Sequence, residues 1–205
     1  MDLDAIRHEV TSVLDATYRA REIGLTNSRK VIRLSANAIR SLHRDEIAQA
    51  EALMVEAGEL LRETVEVLAE SPDILHAGFV HDAAKEYAEA RLTAALGSGA
   101  EVPGPAELGV AVPAFLNGLG EAAGEMRRRM LDLLRAGDLE GGERTLAAMD
   151  GVVELLASLD YPDGMTGGLR RTTDVARALA ERSRSDLTTT MVQERLRADL
   201  RRLPS

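Results

Sequence analysis

Apolar residues recur every three or four positions along most of the chain, and that spacing predicts helices. Over residues 3–23, Ile6, Val10, Val13, Leu14 and Tyr18 share one side. Gly24 and the triplet Thr26-Asn27-Ser28 either interrupt that segment or are spanned by it, and the pattern leaves both open. From Arg29 to Arg44 two faces separate. Val31, Leu34, Ala38, Ile39 and Leu42 lie on one; at about 100° per residue, Arg29, Arg33, Arg40 and Arg44 fall within roughly a sixth of the circumference on the other. Asp45 then opens an acidic helix with Ile47, Ala50, Leu53, Met54, Ala57, Leu60, Leu61, Val65 and Leu68 inward. Ser71-Pro72-Asp73 ends it, because the residue before a proline is pushed out of the α region and Asp73 can cap the next helix.

A helix over 73–96 carries Leu75, Phe79, Val80, Tyr87 and Leu92. The glycines and prolines of 97–109 predict a loop, since no helix interior tolerates that density. Pro113 suits the first turn of a helix over 113–136, which stops at Ala136-Gly137-Asp138. Another helix covers 139–159, Tyr161-Pro162-Asp163-Gly164 makes a turn, and 167–187 forms an amphipathic helix with Leu169, Val175, Leu179 and Leu187 inward. Thr188-Thr189-Thr190 weakens the pattern before an arginine-rich final helix or tail. There is no internal repeat, metal-finger motif or phosphate-loop motif. The reading is all-α, one domain over residues 1–205.

Composition agrees. With 45% apolar residues the 205-residue chain can bury a sizeable core, and with 2% aromatics it does so through Leu, Val, Ile and Ala, against an all-β fold. The absence of cysteine excludes disulfides and thiolate metal sites. The opening residues lack a basic stretch followed by an apolar core, and no run reaches the roughly 18 apolar residues of a membrane span, so a soluble, cytoplasmic protein is expected.

A net charge of −9 argues against a polyanionic partner until its distribution is considered. From Arg21 to Arg44 the charges are Arg21, Arg29, Lys30, Arg33, Arg40 and Arg44 against Glu22 alone; from Asp45 to Glu70, eight carboxylates face Arg62. The basic row is roughly 24 Å long at a rise of 1.5 Å per residue, enough to follow several phosphates of a nucleic-acid strand. The same residues also suit an exposed face with internal ion pairs, for example to the acidic helix over 45–70.

Glu86 and Glu89 stand a near-turn apart on the 73–96 helix, and Glu121 and Glu125 one turn apart on the 113–136 helix. Like charges at that spacing cost about 0.2–0.5 kcal/mol each, which a cation bound between the helices would offset. Four carboxylates offer hard oxygens suited to Mg²⁺ or Mn²⁺, and such an ion can polarise a phosphoryl oxygen and activate a nucleophile. In a chain with 29% charged residues, the same pairs also arise as solvated surface, with Lys85 against Glu89 and Arg129 against Glu125. A ferritin-like di-iron site is disfavoured, because none of His8, His43, His76 or His81 follows a glutamate at the Glu-x-x-His spacing.

Four stretches resemble the translin superfamily, in family order and over most of the chain: VIRLSANAIRSLHR at 31–44, KEYAEA at 85–90, GLGEAAGEMRRR at 118–129 and DYPDGMTGGLRRTTDVARALAER at 160–182. The resemblance implies an all-α bundle of about seven helices that assembles into a closed homo-oligomer, a homo-octamer, and binds single-stranded RNA or DNA. Glu86-Tyr87-Ala88-Glu89 is similar to the Glu-Tyr-x-Glu pair of the family's catalytic branch, translin-associated factor X, and Glu121 with Glu125 to its Asp-x-x-x-Glu. At 121 this chain has Glu where the family pattern has Asp, one methylene longer. The resemblance therefore implies a metal-dependent endoribonuclease of single-stranded RNA, with Glu86, Glu89, Glu121 and Glu125 holding Mg²⁺ or Mn²⁺ and Arg29, Lys30, Arg33, Arg40 and Arg44 holding the backbone. The alternatives are a translin-like binding oligomer without chemistry and a purely structural helical oligomer.

Overall fold

The computed structural model describes residues 3–202, and among them it is helical throughout with no strand. Residues 1–2 and 203–205 of the expected domain lie outside that range. Six long helices carry the structure: α1 (Leu3–His43), α2 (Ile47–Val67), α4 (Gly78–Ser98), α6 (Val112–Arg135), α7 (Leu139–Ala157) and α9 (Leu169–Arg201). Three four-residue turns of helix, α3 (Pro72–Leu75), α5 (Pro105–Leu108) and α8 (Asp163–Thr166), sit in the connections.

Nine helices among the described residues correct the expected seven or so, and the difference has two causes. Proline pre-sets the helical φ at the first turn of α3 and α5 and stands just before α8, so the loop over 97–109 and the turn at 161–164 each form one turn of helix. The helix expected over 73–96 divides at His76 and Ala77 into α3 and α4. In the other direction, pairs of expected segments fuse. Helix α1 runs 41 residues through Gly24, which is buried where a Cβ would meet Phe79 and Leu68 at 3.0 and 3.2 Å; that glycine serves packing and does not break the helix. Helix α9 likewise runs through the three threonines, two of which return their hydroxyls to carbonyls four residues back.

The helices pack in sequence: α1 against α2 and α4, α4 against α6, and α6 against α7 and α9. The main core joins Val31, Leu61, Ala88, Leu92, Leu119 and Leu156, contributed by five of the long helices. Alanines and glycines at the crossings allow close approach. At Gly118 on α6 a Cβ would lie 2.7 Å from the Lys85 carbonyl oxygen and 2.9 Å from the Glu89 nitrogen, so backbone meets backbone there. Gly118→Ala is expected to cost about 1–3 kcal/mol by overpacking, read as a lower Tm, and to spread α4 from α6.

Both ends of the chain leave apolar residues in solvent. Ile6, Val10, Val13, Leu14 and Tyr18 keep the common side that their spacing predicts, but each is at least half exposed, as are Val192, Leu196 and Leu200 on α9. Ile47, Val65 and Val175, expected inward, are also exposed. No described helix is long and apolar enough to cross a membrane.

Candidate metal centre and nucleic-acid face

The Gly118 crossing brings the two carboxylate pairs together. Glu86 and Glu89 project from α4 and Glu121 from α6, and one carboxylate oxygen of each lies within 4.8 Å of the others. Lys85 lies between them: its Nζ donates to Glu121 at 2.8 Å and stands 3.5 Å from Glu86. Burial pulls the Lys85 ammonium towards the neutral form, but Glu121 and Glu86 outweigh it and hold its pKa above the ordinary lysine value. The amine is therefore a built-in cation at the point where the acids converge. The pairing of Lys85 with Glu89 and Arg129 with Glu125, open from the sequence, does not occur.

Glu89 is the least solvated of the trio, 9% exposed, and it has no hydrogen-bond or ion-pair partner among the described residues. Burial first, and then the charges of Glu121, Glu86 and Glu125, push its pKa up to about 8. A buried carboxylate with like charges around it and no donor satisfying it is costly as an anion, and a divalent cation would relieve that cost. The donor set is all oxygen and hard, which suits Mg²⁺ or Mn²⁺. Glu125 is nearby but outside this trio, because its carboxylate is held by Nε2 of His43 at the end of α1. The His43 side chain is 8% exposed.

His43 is thus a site residue that helical spacing did not select, whereas Lys85 is legible in the sequence as a partner for Glu89 but lies instead against Glu121 and Glu86. His43 reaches Glu125 across 82 positions of sequence, a contact that no local spacing signals.

The basic row behaves unevenly. Arg29, Arg33 and Arg40 are exposed on α1, while Val31, Leu34, Ala38 and Ile39 opposite are buried. Arg29 and Arg33 have no ion-pair or hydrogen-bond partner among the described residues. Arg40 is held by Asn37 on its own helix. Lys30 is tied to Glu56 of α2 at 2.9 Å. Arg44 falls beyond the last helical residue and chelates Glu46 through two bonds of 2.9 and 2.7 Å, as the chain reverses at Asp45 with φ 57°.

No protein-family profile matches the chain. An uncharacterized protein of Methanocaldococcus jannaschii is 27% identical over 185 residues, covering 89% of this chain and 82% of that one. Two solved structures are closer in sequence. AfC3PO in complex with duplex RNA superposes with a TM-score of 0.83 at 34% identity, covering 94% of this chain and 98% of that chain. A second crystal structure of AfC3PO gives 0.80 at 33%, with the same coverage. Apo-NeC3PO, at 21% identity, shares the fold with a TM-score of 0.78, over 92% of this chain and 97% of that chain.

Proposed function

Because the chain belongs to the translin superfamily, we propose that it is a nucleic-acid-binding protein with metal-dependent endoribonuclease activity on single-stranded RNA. The observation that carries this reading is the buried, unpartnered Glu89 converging with Glu86 and Glu121 at the α4–α6 crossing. These three, with Glu125 as a fourth carboxylate, would hold Mg²⁺ or Mn²⁺. Such an ion, when bound, polarises a phosphoryl oxygen and makes water a better nucleophile. In the hydrolysis a water oxygen forms the new bond to phosphorus, one P–O ester bond breaks, and the departing ribose oxygen takes up a proton. His43 fixes the orientation of Glu125, and Lys85 holds Glu86 and Glu121 together at the place where the cation would be held.

Binding is assigned to the α1 face, where Arg29 and Arg33 are free, Arg40 is exposed, and Lys30 and Arg44 can exchange their present partners for phosphate. The scarcity of aromatic side chains, 2% of the chain, supports phosphate contacts in place of base stacking. The double variant Arg29→Ala/Arg33→Ala is expected to weaken RNA binding at low salt and to flatten the dependence of log K on log salt by about 0.7 per arginine, the value for single strands, in a fluorescence-anisotropy titration. The complex of AfC3PO with duplex RNA supports RNA as the ligand class; duplex and single strands would be compared in the same titration. Exposed apolar residues at both ends of the chain support assembly into a closed homo-oligomer, which the family resemblance gives as an octamer.

The test of the nuclease reading is incubation with an end-labelled single-stranded RNA, with Mg²⁺ and with EDTA. Cleavage that needs the metal is expected. Tight binding without cleavage in either Mg²⁺ or Mn²⁺ would leave a binding oligomer without chemistry.

A further inference from the structure

Beside the carboxylates a third helix opens a cleft of about 480 Å³, lined by Glu89, Glu121, Arg171, Thr172, Val175 and Leu179. Arg171 is exposed in its wall and has no ion-pair or hydrogen-bond partner among the described residues. An unengaged guanidinium in one cleft with two acids of the metal candidate is the combination that a phosphodiester requires. The cation and the guanidinium would share the phosphate charge, and the planar fork matches two of its oxygens.

The position of Arg171 is built into the fold. Its neighbour Thr172 donates its hydroxyl to the Asn117 side chain on α6 at 2.6 Å, and the Asn117 amide in turn donates to the Thr166 and Pro113 carbonyls at 3.0 and 2.8 Å. Asn117 is one turn before Glu121, so the same anchor fixes both walls. Gly120 completes the contact: a Cβ there would lie 2.1 Å from Cγ2 of Thr172, so only glycine lets α9 come this close. Arg170, adjacent in sequence, lines a different hollow with Asp160, Asp163 and Asp174.

We infer that this cleft seats the phosphodiester to be cleaved and that Arg171 grips its non-bridging oxygens from α9. The inference rests on the nuclease reading for its chemistry, but the phosphate subsite can be tested separately. Arg171→Met, Arg171→Lys and Arg170→Met would be compared with the parent in two ways. In steady-state cleavage of single-stranded RNA, Arg171→Met is expected to lower kcat by about 100-fold with little change in KM, Arg171→Lys to recover part of the loss, and Arg170→Met to match the parent. Unchanged Mn²⁺ affinity by calorimetry would show that the carboxylates are intact. In the second experiment, a 5′-phosphorylated uridine dinucleotide is titrated into each protein, with and without Mn²⁺. Binding weakened about tenfold or more by Arg171→Met, and unaffected by Arg170→Met, is expected.

Equal dinucleotide affinity in the parent and Arg171→Met, or equal losses at Arg170 and Arg171, would overturn the inference whatever the cleavage result. So would a parent that binds no dinucleotide. A parent that binds the dinucleotide through Arg171 but cleaves nothing would keep the phosphate subsite and overturn the nuclease reading alone.

Discussion

Alanine in place of Glu89 or Glu121 is expected to lower Mg²⁺-dependent cleavage of single-stranded RNA by about 100-fold or more, while RNA affinity stays at or slightly above that of the parent. The separation reflects the two faces. Glu89 and Glu121 lie at the α4–α6 crossing, whereas the unpaired arginines 29 and 33 lie on the exposed side of α1, so removing an acid takes away a cation ligand and no phosphate contact. Glu63→Ala, an exposed glutamate on α2 away from the trio, is the control and should cleave as the parent does. Cleavage rates with labelled RNA at saturating Mg²⁺ and anisotropy in EDTA provide the two readouts. If Glu121→Ala cleaves at the parent rate, the trio is surface charge.

Glu89→Gln is expected to stabilise the metal-free protein above neutral pH while removing its response to Mg²⁺. The sign is set by the raised pKa of Glu89, about 8 in the folded protein against 4.5 in the unfolded chain. Below 4.5 both states hold the proton and the contribution to stability is fully present. Between 4.5 and 8 the unfolded chain releases the proton and the folded one keeps it, so folding loses stability as pH rises. Above 8 the loss is complete. At 1.36 kcal/mol per unit the loss amounts to about 3–5 kcal/mol, and glutamine, which does not ionise, escapes it. Thermal melts in EDTA should therefore diverge between parent and variant from pH 5 to 8, the variant ending higher. Adding Mg²⁺ should raise the Tm of the parent at pH 8 and leave that of Glu89→Gln nearly unchanged. Parallel melting curves across that range would show that Glu89 is not held in the environment described.

The parts of this fold governed by local periodicity were legible in the sequence. The buried side of α1 from Val31 to Ile39 is where the spacing put it, and the two carboxylate pairs were found because i,i+3 and i,i+4 spacing is a property of a single helix. What lay beyond reach depends on partners distant in the chain. The pattern at Gly24 stays open between a break and a continuous helix until Phe79 and Leu68 are seen against it, and the apolar residues from Ile6 to Tyr18 share one side as their spacing predicts although nothing in the described chain covers them. Arg44 belongs to the basic row on a helical wheel, but the helix ends at His43 and the turn hands its guanidinium to Glu46. The same limit shaped the site. Spacing treats Glu121 and Glu125 alike; the fold gives one to Lys85 and the other to His43.

Whether α4 and α6 together hold a divalent cation is tested most directly by diffraction from crystals soaked in Mn²⁺. An anomalous peak bonded to carboxylate oxygens of Glu86, Glu89 and Glu121, with Lys85 displaced from Glu121, is the predicted result. Saturating Mn²⁺ with no peak at the crossing, and Lys85 still bound to Glu121 in a protein that cleaves RNA, would contradict a metal centre at these carboxylates.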